Sequence, residues 1–386
     1  MRHRLLLVTL FLLWASKLCF ANYELVGTLY PLRWGQQEGS ADLVNPPNRL
    51  GQPLCVKMGS TFGCRLVETG GGVIGWKVSS ARLISRTSGQ VYWSVTDSGV
   101  GNLIPPSATY WLPNIPSWVD YARLEMSFVI LYWGPWGPTY YLTPIYSSEE
   151  VFIVLDEPKA PMNPAWVSVL RKSCVWARQT NNLYDTGRAI TFGVFFQRPG
   201  FAYPDDTATY WLIPPSYTVF RLRALLDAWE SGSWTSGNCN DVSCFTMLAF
   251  NSIGLDFSVR RLSQTAYGSF ITNPLCKIGS DPTLDQTYSS WEWMWHQICV
   301  PSGDPDPPSN QARIWDPTAA QKEDLNGNGY RNPPAHHPDN LWPQKDYWQK
   351  PHTQIPGAWL GLVNFPVPSE PQLSGPGTWK CGVTTQ

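Results

Sequence analysis

Residues Asp206–Tyr217 read DTATYWLIPPSY, and residues Ser107–Trp118 read SATYWLPNIPSW. Ala108-Thr109-Tyr110-Trp111-Leu112 therefore returns as Ala208-Thr209-Tyr210-Trp211-Leu212, and further matches follow in the same order. Pro116-Ser117-Trp118 corresponds to Pro215-Ser216-Tyr217, and Arg123-Leu124 to Arg221-Leu222. Beyond the prolines both copies alternate. Ala122, Leu124, Met126 and Phe128 share one parity, and so do Phe220, Leu222, Ala224 and Leu226. A period of two places one face of a strand in a core. Each copy thus reads as strand, Pro-rich turn, strand.

Upstream of the copies lie two more strand-like runs, QVYWSVTD (Gln90–Asp97) and AITFGVFFQ (Ala189–Gln197). A repeated unit of about a hundred residues with several strands is of β-sandwich size. The expected fold is mostly β. It comprises two tandem related sandwiches over 22–157 and 158–262, then a Pro/Trp-rich, loop-rich lobe over 263–386. Asp206-x-Ala208-x-Tyr210 resembles the tyrosine corner of immunoglobulin-like sandwiches, in which a Tyr near a strand start ties back to the backbone. The pattern departs from that family at Leu212, where antibody domains carry Cys, and at Pro106, which stands where the second copy has Asp206. The resemblance implies a two-sheet sandwich and no function.

The composition excludes some classes. Net charge is -1 with 15% charged residues, which gives no electrostatic footprint for nucleic acid. The 14% aromatic content and 35 prolines favour short strands and turns over long helices and argue against wholesale disorder. The chain begins MRHRLLLVTLFLLWASKLCFA, a basic start followed by an apolar stretch of signal-peptide length. Cleavage after Ala21 makes residues 1–21 a leader and the mature chain secreted, periplasmic or surface-bound, with no transmembrane span. Loss of the leader removes Cys19 and leaves Cys55, Cys64, Cys174, Cys239, Cys244, Cys276, Cys299 and Cys381. An even count in an exported chain points to disulfides, with Cys239 and Cys244 close enough to staple one loop and Cys55 and Cys64 a hairpin. No CxxC pair or surrounding histidines favour zinc instead.

Several segments carry candidate chemistry. Asp324-x-Asn326-x-Asn328-Gly329, followed by Tyr330, resembles the first half of an EF-hand or dockerin-type calcium loop. Ala335 replaces the usual bidentate Glu, and the same residues equally favour a plain Asn-Gly turn. Calcium is the one cofactor the sequence raises. SSWEWMWHQ, read as a strand, puts Trp291, Trp293 and Trp295 on one face as a platform for sugar rings. Read as a helix, it brings Glu292 to His296. YWGPWGPTYY, with Trp133, Trp136 and Tyr140, is a second aromatic cluster on Gly-Pro turns. Core packing or subunit contact explains both clusters equally well. No GxSxG, phosphate loop or HExxH occurs, and the scattered carboxylates Glu149, Glu150, Asp185, Asp205, Asp206 and Asp285 select no pair.

No complete catalytic signature emerges. The leading expectation is a non-enzymatic, exported structural or assembly protein that associates with itself or with other surface proteins. A glycan-binding module using the aromatic faces is the second reading. A secreted hydrolase with a site near His296, His336 and Asp339 is the third; His337, next to His336, points to the other side of an extended chain.

Overall fold

The computed structural model describes residues 22–26, 52–68, 73–97, 101–134, 137–142, 146–196, 203, 219–263, 270–271, 276–278, 292–293, 295–302, 315–320, 372–379 and 382–383. The chain is mostly β, with several sheets and few helices. It divides into two compact units, one formed by Met1–Leu32 with Leu43–Leu155 and one by Arg33–Asp42 with Asp156–Gln386. Among the described residues no helix is long and apolar enough to cross a membrane.

The first unit contains two sheets. Strands β1 (Asn22–Val26), β3 (Gly63–Glu68) and β6 (Thr109–Trp111) form the smaller, in the order β1-β3-β6. The larger follows the order β2-β9-β7-β4-β5, with β8 also paired to β7. Its members are β2 (Leu54–Lys57), β4 (Val73–Ser85), β5 (Val91–Thr96), β7 (Asp120–Gly134), β8 (Gly137–Leu142) and β9 (Tyr146–Val154). The alternation at Ala122, Leu124, Met126 and Phe128 extends through Ile130 and Tyr132, and all six are buried in one core. Tyr23 and Leu25 of β1 and Cys64 and Leu66 of β3 belong to the same core, so the two sheets face one another. The Tyr23 ring stacks on Phe128 with centroids 3.7 Å apart and planes 5° from parallel. Such a contact adds about 0.5–1.5 kcal/mol beyond the area it buries.

The second unit corrects the expected second sandwich. Among the described residues of 158–262 there are four helices: α1 (Val167–Trp176), α2 (Leu183–Phe196), α3 (Leu222–Glu230) and α4 (Cys239–Ser252). The AITFGVFFQ run is the body of α2. Thr186, Ile190 and Val194, and beside them Thr191 and Phe195, are buried at helical spacing. A side-chain cap starts this helix, with Asn182 Oδ1 accepting the Asp185 N–H at 3.0 Å. The alternating Phe220–Leu226 set also breaks. Leu222, Leu225 and Leu226 are buried at i, i+3 and i+4 of α3, while Ala224 is only half-buried. An Arg223–Asp227 ion pair spans one turn of its exposed face. Of the repeated pentamer, the first copy lies in β6, where Tyr110 pairs with Cys64. The second copy and its tyrosine-corner residues Asp206 and Tyr210 lie outside the described residues.

Short strands complete the unit: β10 (Val219–Phe220), β11 (Phe257–Ser263), β12 (Phe270–Ile271), β13 (Cys276–Lys277), β14 (Glu292–Trp293), β15 (Trp295–Pro301), β16 (Ala319–Ala320), β17 (Gln372–Trp379) and β18 (Gly382–Val383). The main sheet runs β15-β11-β17. Two glycines of α2 let bulky neighbours approach the helix axis. A Cβ at Gly193 would lie 2.3 Å from Trp176 Cγ, and one at Gly187 would lie 2.8 Å from Trp315 Nε1.

Phe128→Ala should destabilise the first unit by about 3–5 kcal/mol, the range for removing a fully buried aromatic ring. Chemical denaturation followed by tryptophan fluorescence checks this. A loss below about 1 kcal/mol would mean that the two sheets do not depend on this contact.

Candidate active site

The site begins at the start of α4. Asn238 is the N-cap, and its Oδ1 accepts the N–H groups of Asn240 at 3.0 Å and Asp241 at 3.4 Å. Asp241 returns the interaction by accepting the Asn238 N–H at 3.3 Å. This reciprocal box fixes the helix start one residue before Cys239. Every residue of α4 is buried. Cys239 therefore occupies the first helical position of an immobilised helix, at the positive end of its dipole, where negative charge is favoured.

β15 supplies His296, and the segment after Trp315 supplies Asp316. Two main-chain hydrogen bonds, Cys299 N–H to the Trp315 carbonyl at 3.0 Å and the reciprocal bond at 2.9 Å, hold that segment against β15. His296 Nε2 and Asp316 Oδ2 are 2.8 Å apart, and both side chains are completely buried. The Thr318 N–H and Oγ1–H donate to the other carboxylate oxygen at 2.9 and 2.6 Å. Burial pushes the His296 pKa down, but the Asp316 charge and hydrogen bond outweigh it, helped by the Cys239 thiol, and the ring is raised to about 9. Burial works against the Asp316 carboxylate too, yet His296 and Thr318 together lower its pKa. With Nε2 committed to Asp316, Nδ1 is the ring nitrogen left to face another group.

Tyr203 completes the described surroundings. Its hydroxyl accepts the Cys239 backbone N–H at 3.2 Å. Burial, followed by the neighbouring Cys239, pushes the phenol pKa well up, so Tyr203 is a neutral hydroxyl. The Cys239 N–H is thus aimed at Tyr203 Oη, and a backbone donor at a helix start is the kind of group that holds a carbonyl oxyanion.

A thiol at a helix N-terminus, an imidazole whose charge that thiol influences and a carboxylate orienting the imidazole are the residue types of a nucleophile, a base and an orienting group. The sequence singled out no catalytic set; the structure brings Asp316 to His296, with Cys239 beside them. His296 stood among the sequence candidates, but with His336, His337 and Asp339, all of which lie outside the described residues. Its observed partner is Asp316. Cys239 and Cys244 were expected to staple a loop. They lie instead on one helix, with Cys239 a free thiol and Cys244 disulfide-bonded. Cys55 in β2, Cys64 in β3, Cys174 in α1 and Cys299 in β15 are buried and not disulfide-bonded.

The other candidates fall apart or cannot be placed. The SSWEWMWHQ run is neither one strand nor a helix: Glu292–Trp293 pairs with β12, and Trp295 onward pairs with β11. Trp291 and Trp136 lie outside the described residues, as do the calcium-loop residues Asp324, Asn326, Asn328 and Tyr330. Cys276 is in β13, and Cys381 is outside the described residues. Trp133 and Tyr140 are exposed on the β7–β8 hairpin of the first unit. Among the described residues no group of three metal-ligating side chains forms a cluster.

No protein-family model matches the chain, and no curated protein matches it. Among solved structures, red sea bream transglutaminase is similar with a TM-score of 0.36 and 12% sequence identity, over 72% of this chain and 51% of that one. The chain thus spans about half the length of that protein.

In acyl transfer at this site a protonated His296 would release the leaving group, so such turnover should fall as pH rises through about 9. Asp316→Asn removes the interaction that raises the ring and leaves burial, which lowers it. The alkaline limb should then move down by two units or more, toward or below 6.5. The same sign governs stability: the His296–Asp316 contribution is full below pH 6.5 and is lost as pH rises through about 9. A pH–rate profile and pH-dependent melting check both. An alkaline limb that stays in place in Asp316→Asn would exclude the pairing from catalysis.

Proposed function

We propose that the chain is a cysteine-dependent acyl-transfer enzyme, a hydrolase of amide or ester carbonyls whose nucleophile is Cys239. The observation that supports it most directly is the placement of Cys239 at a capped helix N-terminus together with the buried His296–Asp316 pair. His296 accepts the thiol proton through Nδ1, and the sulfur attacks the carbonyl carbon. The S–C bond forms as the carbonyl electron pair moves onto oxygen, near the Cys239 N–H and Tyr203. Collapse expels the amine or alcohol, which takes the proton from His296, and leaves a thioester on Cys239. Water then attacks with His296 as base, releasing the acid and restoring the thiol.

The test is a screen of fluorogenic peptide amides and esters near pH 7.5, with mass spectrometry to find the acylated residue. Cys239→Ala and His296→Ala should each reduce kcat by about 10³-fold or more. Full hydrolysis by Cys239→Ala, or acylation at a different cysteine, would overturn the assignment.

Export is part of the proposal, and it depends on the leader-like start alone. Five buried free thiols weaken the case for an oxidising compartment that the cysteine count had made. The earlier reading of surface assembly or glycan contact is favoured at one place, the β7–β8 hairpin. Trp133 pairs with Pro138, Leu131 with Tyr140 and Val129 with Leu142, so the β8 residues share the Trp133 face. Trp133, Tyr140 and Leu142 are 65%, 48% and 73% exposed there. Trp133→Ala with Tyr140→Ala should abolish retention on insoluble polysaccharide or lower the sedimentation coefficient. A double variant indistinguishable from wild type in both assays would dismiss this second role.

A further inference from the structure

We propose that Ser243 is the positioning residue that sets the separation of Cys239 and His296, an inference that depends on the cysteine-nucleophile reading above. Ser243 lies four residues after Cys239 on α4, so the two share a helix face. It is fully buried, and its Oγ–H donates to the Gln297 main-chain carbonyl at 2.8 Å. Gln297 directly follows His296 in β15. The hydroxyl one turn below the nucleophile thus grips the peptide beside the base.

The contact is reinforced from both sides. The Ser243 carbonyl accepts the Cys299 thiol at 3.2 Å, and Gln297 Nε2 reaches the Asn240 carbonyl and Cys244 Sγ, each at 3.4 Å. Alternate residues of β15, Gln297 and Cys299, therefore face α4 through polar contacts. A purely apolar helix–sheet contact tolerates sliding. One residue of slip along a strand is about 3.3 Å, enough to separate a thiol from an imidazole altogether. Displacements of about 1 Å already cost catalysis heavily. A hydroxyl on α4 bonded to one particular carbonyl of β15 fixes that register where sulfur and ring must meet.

The experiment uses the full chain and two variants outside the reacting groups, Ser243→Ala and Gln297→Met, with thermal melting as the check on folding. Cys239 alkylation by iodoacetamide is followed at pH 7.5, with Cys239 identified by peptide mass, and kcat and KM are measured beside it. In the wild type Cys239 should alkylate faster than the buried Cys55, Cys64 and Cys299. Ser243→Ala should slow alkylation of Cys239 and lower kcat by about 10- to 100-fold, with KM little changed. Gln297→Met should change both in the same direction by less. A merely structural loss would lower the melting temperature and leave both rates in place.

Wild-type rates from folded Ser243→Ala and Gln297→Met would overturn the positioning role while leaving the nucleophile assignment intact. A wild-type Cys239 that alkylates no faster than the buried cysteines would overturn the nucleophile reading instead. Should Ser243→Ala melt below the assay temperature, the rates of Gln297→Met decide the question alone.

Discussion

The second unit depends on a buried charge pair. Removing two ions from water costs several kcal/mol each, and their attraction offsets that cost only where geometry and further hydrogen bonds satisfy both. His296 and Asp316 meet these conditions. They touch at 2.8 Å, and Thr318 provides two donors to the remaining carboxylate oxygen. Attraction wins over burial at the ring, which is why its pKa lies above 6.5. Much of the surrounding architecture follows from this demand. Asp316 reaches the ring because Trp315 is bonded to Cys299 on both its N–H and its carbonyl. Trp315 fits there because Gly187 presents no Cβ to its indole, while Tyr184 stacks on it and Phe257 meets its edge.

The same logic governs α4, a helix with no exposed residue that nonetheless contains Asn240, Asp241, Ser243, Thr246, Asn251 and Ser252. Buried polar side chains are tolerable only when bonded. At the C-terminal end Asn251 donates to the Ala160 and Phe257 carbonyls and accepts the Phe257 N–H. Ser252 donates to the Ala249 carbonyl and to Ser173 of α1. At the N-terminal end the Asn238–Asp241 box does the equivalent work. An apolar helix would bury as well, but it could rotate or slide. Polar contacts at both ends give α4 one register, as a helix that presents a nucleophile requires.

How much of this was legible in the sequence depends on the kind of signal. The strands around Val91 and Ala122–Phe128 were readable because one face of each sheet meets a core, which writes a period of two. The same reading failed at Ile190 and Leu222 because short runs dense in apolar residues satisfy both periods. At Ile190 the cap held the distinguishing information, Asn182 three residues before Asp185, while α3 has no side-chain cap to read; Asn238, three before Asp241, is a second helix start written in plain residues, that of α4. The second of these would have placed Cys239 at a helix N-terminus instead of in a disulfide loop. His296 was visible as a titratable group in an aromatic run. Asp316 was not, because its pairing arises only when the Trp315 segment is laid beside β15, a contact between positions distant along the chain.

Thiol chemistry in this fold is decided by the partner and not by burial. Cys55, Cys64 and Cys299 are all fully or almost fully buried, and burial alone pushes the Cys55 thiol up to about 12. It also raises Cys64, and at Cys299 the nearby Asp316 charge adds to the same effect. Such thiols stay protonated and behave as small apolar side chains. Cys239 is as buried as these, yet it stands at a helix N-terminus beside a histidine that a carboxylate keeps charged. Asp316 thus bears on two cysteines by different routes. Through its direct field it holds Cys299 as a thiol, and through His296 it places a positive charge beside Cys239.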